Sequence, residues 1–156
     1  MNIIKTYDGK RVIDLTHTIN DNIPTWSGRC GFHLEMLTDY IDAKDQYQFR
    51  VQQFNFVAGI GTHLDAPAHC FPDGQAIHEI SLDTLIAPCI KLDVSSQADE
   101  NYSVSVDDIR QFEQQYGDIP QGSFMIVYTG WSQYWGEPLR YHNQHRFPSV
   151  SVAAAN

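Results

Sequence analysis

The chain has 156 residues, of which 42% are hydrophobic and 12% aromatic, and this composition is typical of a folded domain and not of a disordered chain. Its formal net charge of −9 excludes nucleic acid and an anionic membrane surface as expected partners, because both require a basic face. The widely spaced Cys30, Cys70 and Cys89 form neither a disulfide framework nor a CxxC metal site. With no secretory signal at the start, these features predict a cytoplasmic protein.

The first third of the chain predicts strands joined by turns. An apolar stretch at 12–15 is followed by the turn-rich segment 21–28, which contains Trp26. Apolar and polar residues then alternate over 48–57, and this pattern predicts a strand. Trp26 either packs in a core or interface, or lines a substrate pocket, and both interpretations stay open.

The segment 59–70 concentrates the residues that can carry chemistry. His63 and Asp65 lie at i and i+2, so an extended backbone would direct both side chains to one face. Imidazole and carboxylate groups are ligands for Zn²⁺, Mn²⁺ or Fe²⁺. Pro67 predicts the end of the strand, and His69, just beyond it, is placed to act as a general base. The segment therefore predicts a metal site with an adjacent proton-transfer residue.

The rest of the chain predicts alternating helices and strands. Ser81 caps a predicted short helix, and the apolar run at 87–94 predicts a buried strand. Ser105 and Asp108 have the spacing of a capping box, which predicts the start of a second helix. The stretch 123–130 is apolar throughout and predicts a central strand.

Three aromatic residues follow that strand, namely Trp131, Tyr134 and Trp135. They could form a wall for a planar substrate or pack in the interior, and both interpretations stay open. Further along, His142 and His145 lie at i and i+3. The two imidazoles could bind a metal by themselves, but an exposed polar loop is the preferred interpretation.

The segment 61–69 reads Gly-Thr-His-Leu-Asp-Ala-Pro-Ala-His, which resembles the signature of the cyclase family of metal-dependent hydrolases. That family includes bacterial kynurenine formamidases and isatin hydrolases. By position, the resemblance implies that His63 and Asp65 bind a divalent metal, zinc or manganese, and that His69 acts in acid–base catalysis. It implies that Trp26 and Trp131 lie near the substrate. The family's usual signature has a further histidine where this sequence has Gly59.

The resemblance also implies an α/β fold with a mixed-strand sheet core and helices packed on it, of the family's swivelling β/β/α type. It predicts a single domain over residues 1–156 that lacks the family's usual C-terminal third. Because part of the metal site would then be missing, a homo-oligomer in which a partner subunit supplies ligands is expected.

Two functions follow from these observations. The first is hydrolysis of a C–N amide bond, in an N-formyl aromatic or cyclic amide, by metal-activated water, with a small molecule as the substrate. The alternative is a catalytically silent or truncated relative that keeps the fold and self-associates. Gly59 and the end of the sequence at Asn156 motivate this alternative.

Overall fold

The structure is a computed structural model that describes residues 3–7, 9–42 and 47–156. The chain divides into two compact units, Met1–Leu64 and Asp65–Asn156. Strands and helices both occur in the described residues, which confirms the predicted mixed α/β class. The predicted extent of a single domain over residues 1–156 stays a prediction.

The described part of the first unit contains two antiparallel strand pairs. Their members are β1 (Ile3–Tyr7) with β2 (Lys10–Ile13), and β3 (Phe32–Thr38) with β4 (Val51–Phe56). The alternating stretch that predicted a strand over 48–57 is confirmed as β4. Ile23, Pro24 and Ile60 are buried in the described part of this unit, so a small core lies directly beside the start of the predicted metal segment.

The second unit contains two parallel strand pairs and three helices. Its elements in chain order are β5 (Cys89–Asp93), β6 (Ser103–Val104), α1 (Val106–Tyr116), β7 (Phe124–Tyr128), α2 (Pro138–His142), β8 (Ser149–Val150) and α3 (Val152–Ala155). β5 pairs with β7, and β6 pairs with β8. Leu92, Val94 and Val104 are buried and form the core of this unit, with Ile109 and Phe112 of α1 packed against them. None of the described helices is long and apolar enough to cross a membrane.

The start of α1 confirms the predicted capping box. The Asp108 N–H donates to the Ser105 hydroxyl at 3.2 Å, and the Ser105 N–H donates to the Asp108 carboxylate at 2.7 Å. These two bonds satisfy two of the backbone donors that a helix leaves unpaired at its first turn. The predicted cap at Ser81 is also confirmed, although the helix that follows it is a 3-10 turn, Leu82–Leu85.

The prediction that the stretch 123–130 forms a central strand is wrong. Among the residues that the structure describes, β7 pairs with β5 alone, and Phe124 and Tyr128 remain 42% and 39% exposed. The predicted burial of the 87–94 strand holds for Leu92 and Val94, whereas Cys89 and Asp93 are exposed. An apolar sequence indicates that a strand is favoured in a buried position. Which strands and helices pack against it depends on segments that are distant in the sequence.

A polar network joins α1 to the loop before it. The Tyr102 hydroxyl donates to Asp108 Oδ1 at 2.8 Å, and the Gln97 side-chain amide donates to the Tyr102 oxygen at 2.7 Å. Burial, and then the hydrogen bond to the Asp108 carboxylate, raise the pKa of Tyr102 to about 12. Burial favours the neutral form of Asp108, but the hydrogen bonds from Ser105, Tyr102 and Gln97 outweigh it and lower the pKa of that carboxyl.

This network predicts a specific loss of stability in alkali. Because the pKa of Tyr102 is raised above its unfolded value of about 10, its contribution is complete below pH ~10 and is lost as the pH rises towards about 12. We expect Tyr102→Phe to cost about 1 kcal/mol of unfolding free energy at pH 8 and progressively less above pH ~10. Urea unfolding at pH 8 and pH 11 measures this difference, with the exposed Tyr116→Phe as control. A difference independent of pH would contradict the assignment.

Candidate functional site

The first part of the motif, up to Leu64, belongs to the first unit and is not a strand. β4 ends at Phe56, and residues 63–66 have no regular secondary structure, so the predicted extension of the strand to Pro67 is wrong. Gly61 has a φ of +67°, which a residue with a side chain rarely adopts. A Cβ on Gly61 would also lie 3.2 Å from Ile23 Cδ1. The backbone therefore bends where the sequence pattern suggested an extended chain.

Local hydrogen bonds orient His63. Its Nδ1 lies 2.9 Å from the Gly61 carbonyl oxygen, which can only accept, so Nδ1 carries the proton. In the neutral ring, the lone pair is therefore on Nε2, the tautomer of a histidine that binds a metal through Nε2. A Cβ placed on Gly59 would lie 3.5 Å from this Nε2. The Thr62 hydroxyl accepts from the His17 N–H at 3.0 Å and ties the motif to the opening segment.

His69 lies in the second unit, on a tight loop whose two ends are joined by a backbone hydrogen bond. It ends the 3-10 turn Pro67–His69, and its N–H donates to the Ala66 carbonyl at 2.9 Å. The Ala68 N–H donates to the Gln75 carbonyl at 3.1 Å, which closes the loop. The His69 side chain is exposed, so it is accessible to a substrate.

Gly74 is a residue of this loop that the sequence did not single out as functional. A Cβ at Gly74 would lie 2.6 Å from the Pro67 carbonyl carbon and 2.7 Å from the Ala68 nitrogen. Both atoms belong to the backbone of the turn that carries His69, so the loop closes only with glycine at this position. The residues at 71–74, Phe-Pro-Asp-Gly, are typical of a turn, but their closeness to Pro67 does not follow from the sequence.

The described residues fall short of the donor set that a catalytic metal requires. Such a site has three protein ligands and an open position for water. Within the described ranges 3–7, 9–42 and 47–156, no group of three or more His, Cys, Asp or Glu side chains is arranged to hold one ion. His63 is oriented as a ligand, and the exposed Asp65 is the next donor in sequence. The residues present therefore do not fit a complete zinc or manganese site.

Trp131 has a clear packing role. Its indole N–H donates to the Tyr141 carbonyl at 2.9 Å, and its ring meets that of Tyr134 edge to face at 5.0 Å. Trp135 packs against the Tyr141 ring in the same way at 5.1 Å. These contacts fasten the segment after β7 to α2. A substrate contact by Trp131 stays a prediction.

Trp26 lies at the surface of the first unit and is 68% exposed. Its turn is closed by the Gly28 N–H, which donates to the Thr25 carbonyl at 3.1 Å, and by the Thr25 hydroxyl, which donates to the Arg29 carbonyl at 2.6 Å. The turn therefore presents a large aromatic surface outward. The predicted role of Trp26 in substrate binding stays a prediction.

The structure brings His142 and His145 together, with their Nε2 atoms 3.0 Å apart. Asn143, Gln144 and His145 all have positive φ angles, and the Asn143 side-chain amide donates to Glu100 at 2.7 Å. In the described part of the chain, the pair is not joined by a third donor arranged to bind a metal. The sequence interpretation of a polar loop therefore remains the preferred one.

Comparison with known proteins identifies the class of the chain. A family model described as "Putative cyclase" matches residues 13–156. The chain belongs to this cyclase family, as the motif at 61–69 predicted. The match covers the first unit from residue 13 onward and the whole second unit, including every residue predicted to lie at the site.

Individual relatives refine this assignment. The chain is 29% identical over 101 residues to a kynurenine formamidase of Bacillus cytotoxicus, and the match covers 64% of this chain and 44% of that relative. It is 31% identical over 90 residues to an isatin hydrolase of Roseibium aggregatum, covering 53% of this chain and 34% of that relative. The chain thus spans less than half the length of these curated relatives.

A solved structure supports the same fold. Isatin hydrolase A from Ralstonia solanacearum superposes with a TM-score of 0.77 at 28% identity, over 91% of this chain and 59% of that one. A second isatin hydrolase, solved with the product analogue thioisatinate, has the same TM-score of 0.77 at 22% identity. The fold of the described chain is therefore that of the cyclase-family hydrolases over about three fifths of their length.

Proposed function

We propose that this chain functions as a hydrolase of a C–N amide bond in a small aromatic substrate, either an N-formyl aromatic amide or a cyclic amide. The observation that carries the proposal is the family match over residues 13–156, which contains the complete Gly-Thr-His-x-Asp-x-Pro-x-His string. The names of the relatives, kynurenine formamidase and isatin hydrolase, support the choice of bond and of an aromatic substrate. We place the reaction in the cytoplasm.

His69 is the proposed proton-transfer group. Its imidazole accepts a proton from the water that attacks the carbonyl carbon, and it then returns a proton to the departing nitrogen as the C–N bond breaks. The products are an amine and a carboxylic acid, which releases its proton to water and becomes a carboxylate. The exposed position of His69 on a closed loop supports this role, because the ring is held by its backbone while its nitrogens stay accessible. Trp26 and Trp131 are the proposed aromatic contacts to the substrate.

We propose that the reaction depends on a divalent metal, zinc or manganese, with His63 and Asp65 among its ligands. The tautomer of His63 supports this role, because the Gly61 carbonyl accepts the Nδ1 proton and leaves Nε2 as the donor. The described residues of one chain do not assemble three such donors, so the proposal requires further ligands in addition to these two.

Turnover and metal dependence test the proposal together. We expect the purified chain, supplied with Zn²⁺ or Mn²⁺, to hydrolyse an N-formyl aromatic amine with release of formate, or isatin with opening of its ring. Addition of a chelator should remove the activity, because a metal that lowers the pKa of water is then withdrawn. A folded, metal-supplied chain that accelerates neither reaction would contradict the proposal and favour a catalytically silent relative.

We also propose that the chain forms a homo-oligomer, and one face of the β3–β4 hairpin supports it. Phe32, Leu34 and Met36 alternate along β3 and lie on the same face as Phe54 and Phe56 of β4, where Phe32 and Phe54 stack at 5.8 Å. Phe54 and Phe56 are 52% and 55% exposed. The opposite face carries polar side chains, namely His33, Glu35, Gln53 and Asn55. An apolar face of this kind is typical of a surface that another chain covers.

Light scattering measures this association. We expect a mass of at least twice that of one chain, and we expect Leu34→Asp to shift the mass to that of a monomer by placing a charge on the apolar face. Asn55→Asp, on the polar face of the same hairpin, is the matched control and should leave the mass unchanged. A monomeric native chain would refute the proposal.

A further inference from the structure

We infer that the free edge of β5 is an interaction surface for a second copy of this chain, whose own β5 pairs with it antiparallel. The two β5–β7 pairs would then form one four-stranded sheet across two subunits. This surface belongs to the second unit and consists of different residues from the β3–β4 face described above. The inference goes beyond the proposed function and does not depend on hydrolysis.

The backbone of β5 is paired along one side. The Phe124 N–H donates to the Pro88 carbonyl at 2.8 Å, and the Val94 N–H donates to the Tyr128 carbonyl at 3.0 Å. Because backbone groups alternate between the two sides of a strand, residues 89, 91 and 93 direct their N–H and carbonyl groups away from β7. In the part of the chain that the structure describes, β7 is the one strand paired with β5. The other side is therefore an edge that can accept a further strand.

A groove runs along this edge. The five consecutive residues 90–94 all line it, so it follows the length of the strand and not one of its faces. Gln111 and Gln115 of α1 line it as well. A side-chain amide both donates and accepts hydrogen bonds, so these glutamines can face the same glutamines of a second copy. The groove therefore leaves the edge of β5 accessible to a strand.

The order of side chains along β5 fits a copy of itself. In an antiparallel pair with a two-fold axis at Leu92, Lys91 lies opposite Asp93 of the partner subunit, and the converse pair forms by symmetry. Residues 91 and 93 are also those whose backbone groups face the free edge, as a hydrogen-bonded pair requires. Moving the axis by one residue in either direction would place two lysines or two aspartates opposite each other, which is destabilising. One register is therefore favoured over its neighbours.

The two charged side chains are available for this pairing. Lys91 and Asp93 are 54% and 47% exposed, with the Lys91 ammonium 2.7 Å from Asp93 Oδ2 and 4.1 Å from the centre of the Tyr128 ring. An ammonium group has three N–H donors, so Lys91 can keep this contact and add one to Asp93 of the partner subunit. Four alternating charges would then form a network across the two-fold axis.

The same charges make the edge selective. Lysine on an edge strand opposes the addition of another strand, because an uncharged neighbour gives it no partner. β5 carries the opposite charge two residues further on, so a strand with the reverse order of charges, such as its own copy, satisfies both. Since β5 has only 5 residues, we expect weaker association than through the β3–β4 face, observed at higher protein concentration.

Sedimentation equilibrium over a range of protein concentrations measures this association, on a Leu34→Asp background that removes association through the β3–β4 face. We expect this chain to pass from monomer to dimer as its concentration rises. The amide protons of residues 91 and 93 should exchange more slowly in the concentrated sample, because they are then hydrogen-bonded between subunits. The exchange measurement requires no substitution in β5.

Charge reversal tests the register. Lys91→Glu and Asp93→Lys, each added to the background, should raise the dissociation constant about tenfold or more, because four like charges then meet at the axis. An equal mixture of the two variants should restore association, because every acid then faces a lysine. Arg110→Glu is the matched control, since it makes the same charge change at an exposed position of α1 outside the groove. Circular dichroism of each variant establishes that it is folded.

Three results would overturn the inference: a Leu34→Asp chain that stays monomeric at every concentration with unchanged exchange, folded charge variants that associate as the background does, or a mixture that restores nothing. The first result would leave the β5 edge to a strand of a different protein. Failure of the β3–β4 proposal is distinguishable. A dimer that persists in Leu34→Asp and is lost in Leu34→Asp/Lys91→Glu refutes the β3–β4 face alone.

Discussion

His69→Ala is expected to lower kcat/KM for the amide substrate by about 10²–10⁴, the range that loss of a positioned general acid–base group produces. The imidazole is exposed and its loop is held by backbone hydrogen bonds, so the substitution should change the free energy of unfolding by no more than about 0.5 kcal/mol. Rate loss without loss of stability is the signature of a group that takes part in the chemistry.

The control for this variant is His33→Ala, which removes an exposed imidazole from β3, outside the motif. It should retain native turnover. Added imidazole should partly restore the activity of His69→Ala, because a small base can occupy the space that the side chain leaves. Retention of turnover within about threefold in His69→Ala would assign the proton transfer to another group.

Gly74→Ala is expected to have the second largest effect, because it acts on the loop that carries His69. The added Cβ would lie 2.6 Å from the Pro67 carbonyl carbon and 2.8 Å from its oxygen, and neither backbone atom can yield without moving the turn. We expect a loss of about 1–3 kcal/mol in the free energy of unfolding, as found for overpacking of a tight contact. Turnover should fall as well, because His69 shifts with its turn.

Urea unfolding and turnover are measured on Gly74→Ala and on Gly136→Ala in parallel. Gly136 has no atom within 4 Å of a Cβ and no positive φ, so its substitution should be close to neutral. Similar stability of the two variants would show that the loop at 66–75 is not constrained by the contact between Gly74 and Pro67.

Several features of the fold could be predicted from the sequence because they depend on residues close together in the chain. The capping box joins Ser105 and Asp108, three positions apart, and the cap at Ser81 acts on the backbone two residues further on. β4 followed from a largely alternating pattern of apolar and polar side chains. Family membership followed from the motif at 61–69, whose residue types and spacing are unusual together.

Other features could not be predicted in this way. The alternation that marks β4 stops at Phe56, but the sequence does not show that Gly61 takes a positive φ. Nor does it show that a Cβ there would lie 3.2 Å from Ile23, 38 positions earlier in the chain. Within the described residues β7 pairs with β5 alone, and this pairing likewise depends on residues far apart in the chain. An apolar sequence is compatible with several positions in a sheet.

The sequence by itself determined which side chains this segment can offer: a histidine and a carboxylate two positions apart, and a further histidine beyond a proline. Only the tertiary structure decided how these residues are held. It showed that the Gly61 carbonyl selects the His63 tautomer, that Gly59 faces the His63 Nε2, and that Gly74 supports the turn of His69. Side-chain identity sets which bonds a residue can make, whereas packing between distant segments sets the distances and directions in which it makes them.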